Sequence, residues 1–321
     1  MTEAAIRTDK LTRDFGAVRA VDALTLETPA GIIFGFLGAN GAGKTTTINL
    51  LLGLLEPTSG QAQALGFDTR TQGGAIRERS GALLEFSGLY ERLTAEDNLD
   101  FYGRVWRLSS AERQARIKQL LTHLGLYDRR KERVGTWSRG MKQKLAIARV
   151  LLHRPTLIFL DEPTAGLDPV AAAGLRDDLA GLVASEGVTV FLNTHNLPEA
   201  ERLCQQVGVI RSGKLLAVGS PDMLRRQTGR PQAEISGDGF TPETLAMLRA
   251  RRDITSAQVE NGRLILELVD RQVSMAPIVA ALVGAGAQIE EVRRGQASLE
   301  EVFMALMEEG GEEGSAKEAL R

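Results

Sequence analysis

The chain has 321 residues, of which 43% are hydrophobic and 25% charged, a balance that suits one large or two unequal globular domains and excludes wholesale disorder. Lys plus Arg number 39 against 41 Asp plus Glu, a net charge of −2, which excludes a protein that coats nucleic acid or an anionic membrane by charge alone. The single cysteine, Cys204, excludes an internal disulfide framework and a cysteine-rich zinc site. The start, Met1-Thr2-Glu3-Ala4-Ala5, has no basic segment followed by an apolar core. No run of about 20 apolar residues is present, so neither a secretory signal nor a membrane-spanning helix is read. The chain is expected in the cytoplasm, with any membrane role exerted through a partner.

In chain order, Ala4 to Leu26 holds short β-like runs, Val18-Arg19-Ala20-Val21 and Leu24-Thr25-Leu26. Ile32 to Leu37 is an apolar run of the kind a buried strand shows. A glycine-rich loop follows, then a helix over Thr45 to Leu55 with Ile48, Leu51, Leu52 and Leu55 on one face. From Thr94 to His153 the pattern is helical. Thr94 with Asp97 and Ser109 with Glu112 read as capping boxes, and Met141, Leu145, Ala148 and Leu152 share a face that Pro155 ends. Leu157 to Leu160 and Val188 to Leu192 read as buried parallel strands separated by a helix, and Val207 to Val218 as a hairpin turning at Ser212-Gly213.

Gly229-Arg230-Pro231 reads as a linker, after which alternation starts afresh. The elements are a strand at Ala233–Ile235, a helix capped by Thr241 with Pro242 at its first position, and a hairpin through Asn261-Gly262. A helix near Met275–Val283, a strand near Ile289–Val292 and a helix near Leu299–Met307 complete a ferredoxin-like α+β order. The residues thus divide into 1–228, an accessory or regulatory domain over 229–308, and a polar, Gly-rich tail over 309–321 expected to be flexible.

Two motifs carry chemistry. Gly38-Ala39-Asn40-Gly41-Ala42-Gly43-Lys44-Thr45, with Thr46 behind it, fits G-x-x-x-x-G-K-[ST] between a strand and a helix. Glycines let backbone N–H groups curl around a phosphate, and the helix presents its positive end to the anion. Lys44 then places a charge on the β- and γ-phosphates, and the Thr45 hydroxyl is offered to Mg²⁺. Leu157-Ile158-Phe159-Leu160-Asp161-Glu162 ends an apolar strand in two acids, at the carboxyl edge where parallel sheets bind ligands. Asp161 is placed to support the Mg²⁺ bound with Thr45, and Glu162 to polarise an attacking water.

Together with these, Ser138-Arg139-Gly140-Met141-Lys142-Gln143, then Ala165-Gly166-Leu167-Asp168, then His195 after the next strand, make the region from Ala4 to Arg225 resemble the ATP-binding cassette (ABC) transporter ATPases. The resemblance implies a P-loop NTPase cassette of the α/β class: a mixed sheet core, an antiparallel β subdomain and a helical subdomain over about 86–153. It implies ATP and Mg²⁺ as cofactors and ATP hydrolysis as the reaction. Ser138 and Gly140 then contact the γ-phosphate of ATP bound to the other subunit, and Asp168 communicates between sites. His195 senses the γ-phosphate, and Phe15 stacks on adenine. The signature departs from the usual L-S-G-G-Q, since it reads Trp137-Ser138-Arg139-Gly140-Met141, and Arg139 is left without a role. Glu85 stands where the family has a glutamine, and its carboxylate still offers oxygen to Mg²⁺.

With Ser298-Leu299-Glu300-Glu301-Val302-Phe303, the chain is similar to bacterial exporter ATPases of the daunorubicin-resistance type. These pair with separate membrane permeases. A homodimer, or a pair with a related ATPase, is expected on the inner face of the membrane, held there by the permease. No membrane insertion and no nucleic-acid partner are expected. The alternative is a non-transport ABC ATPase acting on ribosomes or DNA; the second cassette, coiled-coil insert or zinc module typical of such proteins is not read here.

Overall fold

The computed structural model describes residues 4–228, 231–260, 262–270, 272–295 and 298–307. The Gly229-Arg230 part of the expected linker, Asn261 and the expected flexible tail lie outside the described residues. Two compact units are present, Met1–Ser220 and Pro221–Arg321.

The first unit is built on a six-stranded sheet in the order Lys214–Gly219, Gln206–Arg211, Ile33–Leu37, Thr189–Thr194, Leu157–Asp161, Ser80–Leu83. Lys214–Gly219 runs antiparallel to its neighbour and the remaining pairings are parallel. The strands Ile33–Leu37 and Thr189–Thr194 are buried at every position, the expected composition of parallel strands covered on both faces. The rings of Phe34, Phe36 and Phe159 pack around Phe191 at centroid distances of 5.4, 5.3 and 5.8 Å, all four fully buried.

A second, antiparallel sheet holds Val18–Pro29, Ala4–Phe15, Ser59–Ala64 and Phe67–Asp68 in that order. The expected short β-like runs are thus parts of two 12-residue strands, whose pairing is interrupted by register shifts at Thr8/Leu11 and Leu11/Arg13. These shifts mask the period of two that a regular strand would show. Ile6, Leu11, Val21 and Leu24 from this sheet share one apolar core with Phe34, Phe36 and Phe191.

The helix after the glycine-rich loop spans Lys44–Leu51, shorter than the expected run to Leu55. Gly53 adopts φ +63°, and a Cβ there would stand 2.5 Å from the Thr69 carbonyl oxygen, so the chain turns away from the helix. Leu55 still packs on the core, which is why the apolar spacing extends past the last turn.

The helical region contains Ala95–Val105, Ser110–His123 and Arg139–Leu151. Thr94 Oγ1 accepts from the Asp97 N–H, and Ser109 with Glu112 forms a full reciprocal capping box. Between the second and third helices the chain leaves the α conformation, beginning at Gly125 (φ +69°) and ending at the Ser138 cap. Arg116, with a side chain 3% exposed, donates to both oxygens of Glu186 and to the Leu151 carbonyl, tying its helix to Arg139–Leu151 and to the helix Pro169–Glu186.

The second unit carries the antiparallel order Ile254–Glu260, Arg263–Leu268, Gln232–Asp238, Gln288–Gly295, with helices Pro242–Arg249 and Met275–Gly284 over one core. This is the ferredoxin-like arrangement expected from the element order. Helices at Pro221–Thr228 and over 299–307 flank it in sequence. The hairpin pairs Glu260 with Arg263, leaving a two-residue connection, and Gly262 has φ +78°.

Because Phe191 is enclosed by three other rings, Phe191→Ala should cost about 3–5 kcal/mol in chemical denaturation. A loss below about 1 kcal/mol would contradict close packing at this centre.

Candidate nucleotide-binding site

The strand Ile33–Leu37 ends at Gly38, and the loop to Gly43 delivers the chain into the helix Lys44–Leu51. Two glycines are demanded, one by space and backbone together and one by space alone. Gly43 has φ +104°, and a Cβ on it would lie 2.2 Å from the Ala20 carbonyl oxygen; at Gly38 a Cβ would meet the Ile210 oxygen at 2.5 Å. Lys44 is 7% exposed, and its ammonium donates to the carbonyls of Gly38 (2.7 Å) and Ala39 (3.2 Å). Burial lowers the Lys44 pKa from its usual value, and the carboxylates of Glu162 and Asp161 oppose that shift.

The register of the sheet pairs Leu37 with Thr194 and Asp161 with Asn193, so the ends of these strands form one edge. Thr45 Oγ1 donates to Asp161 Oδ2 at 2.8 Å across 116 residues of sequence. Two hard oxygens of this kind suit Mg²⁺, which completes its shell from phosphate and water. Among the described residues no cluster of three or more His, Cys, Asp or Glu could hold a metal by itself. Glu85 lines the same cleft and is not among the hydrogen-bond partners of Thr45 or Asp161.

Glu162 has φ +49°, a left-handed backbone rarely adopted by a residue with a side chain, and its N–H donates to the Asn193 carbonyl at 2.9 Å. His195 Nδ1 stands 2.6 Å from Glu162 Oε1. The His195 side chain is 60% exposed, and that of Glu162 24%. The two groups form a carboxylate–imidazole pair open to a ligand on one side.

A cleft of about 730 Å³ is lined by Asn40, Gly41, Gly43, Lys44, Thr45 and Thr46 on one wall and by Glu85, Asp161 and Glu162 on another. Arg139, Lys142 and Gln143 also reach it, although only their neighbours Ser138 and Gly140 were expected to matter. Lys142 pairs with Glu91 at 2.6 Å, and the Arg139 guanidinium lies on Gly166, where a Cβ would be 2.2 Å from Nη1.

Ser138, Gly140, Asp168, His195 and Phe15, and Gly38 and Ala42 of the loop, are not part of the cleft lining. Ser138 caps the helix Arg139–Leu151, its Oγ accepting from the Met141 N–H at 3.3 Å. Asp168 caps the helix Pro169–Glu186 through the N–H groups of Val170 and Ala171. A Cβ on Gly140 would touch that of Ala171 at 3.0 Å, so the two helix starts pack closely. Phe15 is 45% exposed, with the Arg13 guanidinium 4.6 Å from its ring centre.

Asn193 escaped the sequence reading. It is fully buried, donates to Asp161 Oδ1 at 3.4 Å and accepts from the Glu162 N–H through its carbonyl. The available signal was an amide at the end of the apolar run Val190-Phe191-Leu192.

A phosphate loop, an acidic strand end and a histidine on the adjacent strand, beside an antiparallel sheet and a helical segment, define a P-loop ATP-binding cassette. The ABC transporter family profile matches residues 21–165, and that of the DrrA1-3-like ATP-binding protein C-terminal domain matches residues 219–307. The daunorubicin resistance ATP-binding protein DrrA3 of Streptomyces coeruleorubidus is 34% identical, over 99% of this chain and 100% of its own length. The bacitracin transport ATP-binding protein BcrA of Bacillus licheniformis is 34% identical over 94% of this chain and 97% of its own. The Nod factor export ATP-binding protein I of Paraburkholderia xenovorans is 36% identical over 95% and 98%. A solved ATP-binding subunit of an ABC transporter superposes with a TM-score of 0.63 at 33% identity, covering 70% of this chain and 93% of that one. The chain belongs to the ABC transporter ATP-binding proteins and carries the C-terminal domain of the DrrA-like branch.

Lys44→Ala takes the buried cationic side chain out of the cleft and, if that side chain grips phosphate as the loop motif implies, should weaken ATP binding at least about tenfold, read by calorimetric titration. Unchanged affinity would remove Lys44 from the site.

Proposed function

We propose that this chain hydrolyses Mg·ATP, closes on two ATP molecules as a head-to-tail dimer with itself or a related ATPase, and thereby drives a separate membrane permease that exports its cargo. The observation that carries the reading is the convergence on one cleft of Lys44, the Thr45–Asp161 pair and Glu162, with His195 held against Glu162 from outside the lining.

In this mechanism the N–H groups of the loop from Gly38 to Gly43 and the Lys44 ammonium bind the β- and γ-phosphates. Thr45 and Asp161, with Glu85 beside them, would hold Mg²⁺, which supplies further neutralisation of phosphate charge. Glu162 orients the attacking water and draws on its proton as the γ-phosphate bond to ADP breaks. His195 steadies the Glu162 carboxylate through Nδ1, and in this reading it senses the γ-phosphate. The second subunit supplies the helix start at Ser138, whose first N–H groups form an anion site; Ser138 and Gly140 themselves stand outside the lining of their own cleft, although Arg139, Lys142 and Gln143 reach it. Each nucleotide is then shared, and losing the γ-phosphate opens the dimer.

Support for a permease partner comes from the segment after Glu85. Phe86 (79% exposed) lines the cleft, Tyr90 (48%) and Phe101 (41%) meet edge to face at 5.1 Å, and Val105 (60%) ends the helix that carries Phe101; such exposed apolar side chains suit a helix of a membrane protein. No helix among the described residues is long and apolar enough to cross a membrane, so in this reading the permease holds the ATPase at the inner face. Export is favoured because the relatives are named for drug resistance, bacitracin transport and Nod factor export. The C-terminal module is assigned an accessory role, supporting the dimer.

Glu162→Gln should lower ATP turnover by about 10²–10⁴-fold while ATP binding persists and a dimer accumulates in light scattering. Rapid hydrolysis by this variant would overturn the role of Glu162. A tagged chain should co-purify with a multi-helix membrane protein; co-sedimentation with ribosomes or DNA instead would favour a non-transport ATPase.

A further inference from the structure

Behind the Glu162–His195 pair lies a carboxyl group that no step of the mechanism uses. Glu199 sits on the short helix Leu197–Leu203 and is 1% exposed. Its Oε2 accepts from Thr164 Oγ1 at 2.9 Å and from Thr194 Oγ1 at 3.1 Å. Thr164 lies two residues beyond Glu162, and Thr194 immediately precedes His195. The Thr194 oxygen also accepts from the Asn196 N–H at 3.0 Å, which directs its own proton to Glu199. The Glu199 N–H is held in turn by Asn196 Oδ1 at 3.0 Å.

We infer that Glu199 is a positioning residue: through two threonine hydroxyls it fastens the loop that carries Glu162 to the strand end that carries His195. The inference rests on the ATPase reading above.

The energetics argue for orientation over stability. Burial of a carboxyl group is costly even when it is hydrogen-bonded, and an apolar side chain of similar volume would avoid that cost. Glu199 Oε1 is buried with no hydrogen-bond partner among the described residues, so the carboxyl is not fully compensated. Burial accordingly raises its pKa, while the two hydroxyls and Arg176 pull it down. What the group provides is a single acceptor oxygen shared by two segments. Those segments also meet through the Glu162 N–H on the Asn193 carbonyl, through the Asn193 amide on Asp161 and through Glu162 with His195. Glu162 holds a left-handed backbone, which persists only where its surroundings determine it. A displacement of about 1 Å at a reacting group can cost about 10²-fold in rate.

The test uses the full chain and steady-state ATP turnover, with equilibrium Mg·ATP binding and thermal unfolding as controls. Glu199→Ala should lower kcat about tenfold or more with ATP affinity changed less than about twofold. Glu199→Gln, whose amide oxygen can accept the same two hydroxyls, should stay within about threefold of wild type. In a His195→Ala background, Glu199→Ala should cost less than about twofold more, because its effect passes through the pair it holds. Any of three results overturns the inference: Glu199→Ala turning over like wild type, Glu199→Gln as slow as Glu199→Ala, or an undiminished loss in the His195→Ala background. If Glu199→Ala fails to fold, Thr164→Val decides, since wild-type kcat in that folded variant would overturn the fastening role. A wild-type chain that binds ATP without turning it over overturns the ATPase reading and this inference together, whereas normal wild-type turnover matched by Glu199→Ala overturns the inference alone.

Discussion

An anion can be wrapped by the loop from Gly38 to Gly43 only because that loop carries no side chain where it passes Ala20 and Ile210, and because the helix beginning at Lys44 presents its unpaired N–H groups to the same point. The rest of the first unit is arranged around that constraint. The strand before the loop sits centrally, between Gln206–Arg211 and Thr189–Thr194, and the sheet brings Asp161 to Thr45. Lys44 is buried, which lowers its pKa, and the carboxylates of Glu162 and Asp161 oppose that shift, so basic and acidic groups share one cleft. Such a site suits a polyanion that arrives with a divalent cation.

At the acidic end of the sheet, one main-chain and two side-chain contacts fix the carboxylates. The Glu162 N–H is bonded to the Asn193 carbonyl, Asn193 donates to Asp161, and the Glu162 side chain meets His195. Both acidic residues are therefore indexed to the same neighbouring strand, and a shift of that strand would move them together. The Arg139 guanidinium resting on Gly166 adds a contact between the signature helix and the loop after Glu162 within one chain.

Much of the architecture was legible because its signals are local. Ser109 with Glu112 and Thr241 with Pro242 mark helix starts through backbone N–H groups only a few residues away. Ser212-Gly213 forms its hairpin turn with φ +47° and +81°, a requirement of the two residues themselves. The β runs near the start were read too short because register shifts break their alternation, and the helix after the phosphate loop was read too long because Leu55 packs on the core from outside it.

By itself the sequence determined the phosphate loop, the acidic pair, the order of elements and the family, since each depends on residue types at fixed short spacing or on covalent order. Only the tertiary structure decided which distant residues meet: Thr45 with Asp161, Glu162 with His195, and Glu199 with Thr164 and Thr194. Buried parallel strands all read as similar apolar runs, so their neighbours in the sheet leave no trace in the pattern. Asn193 and Glu199 drew no notice for the same reason: a polar residue declares a role only once the groups that satisfy it are packed against it.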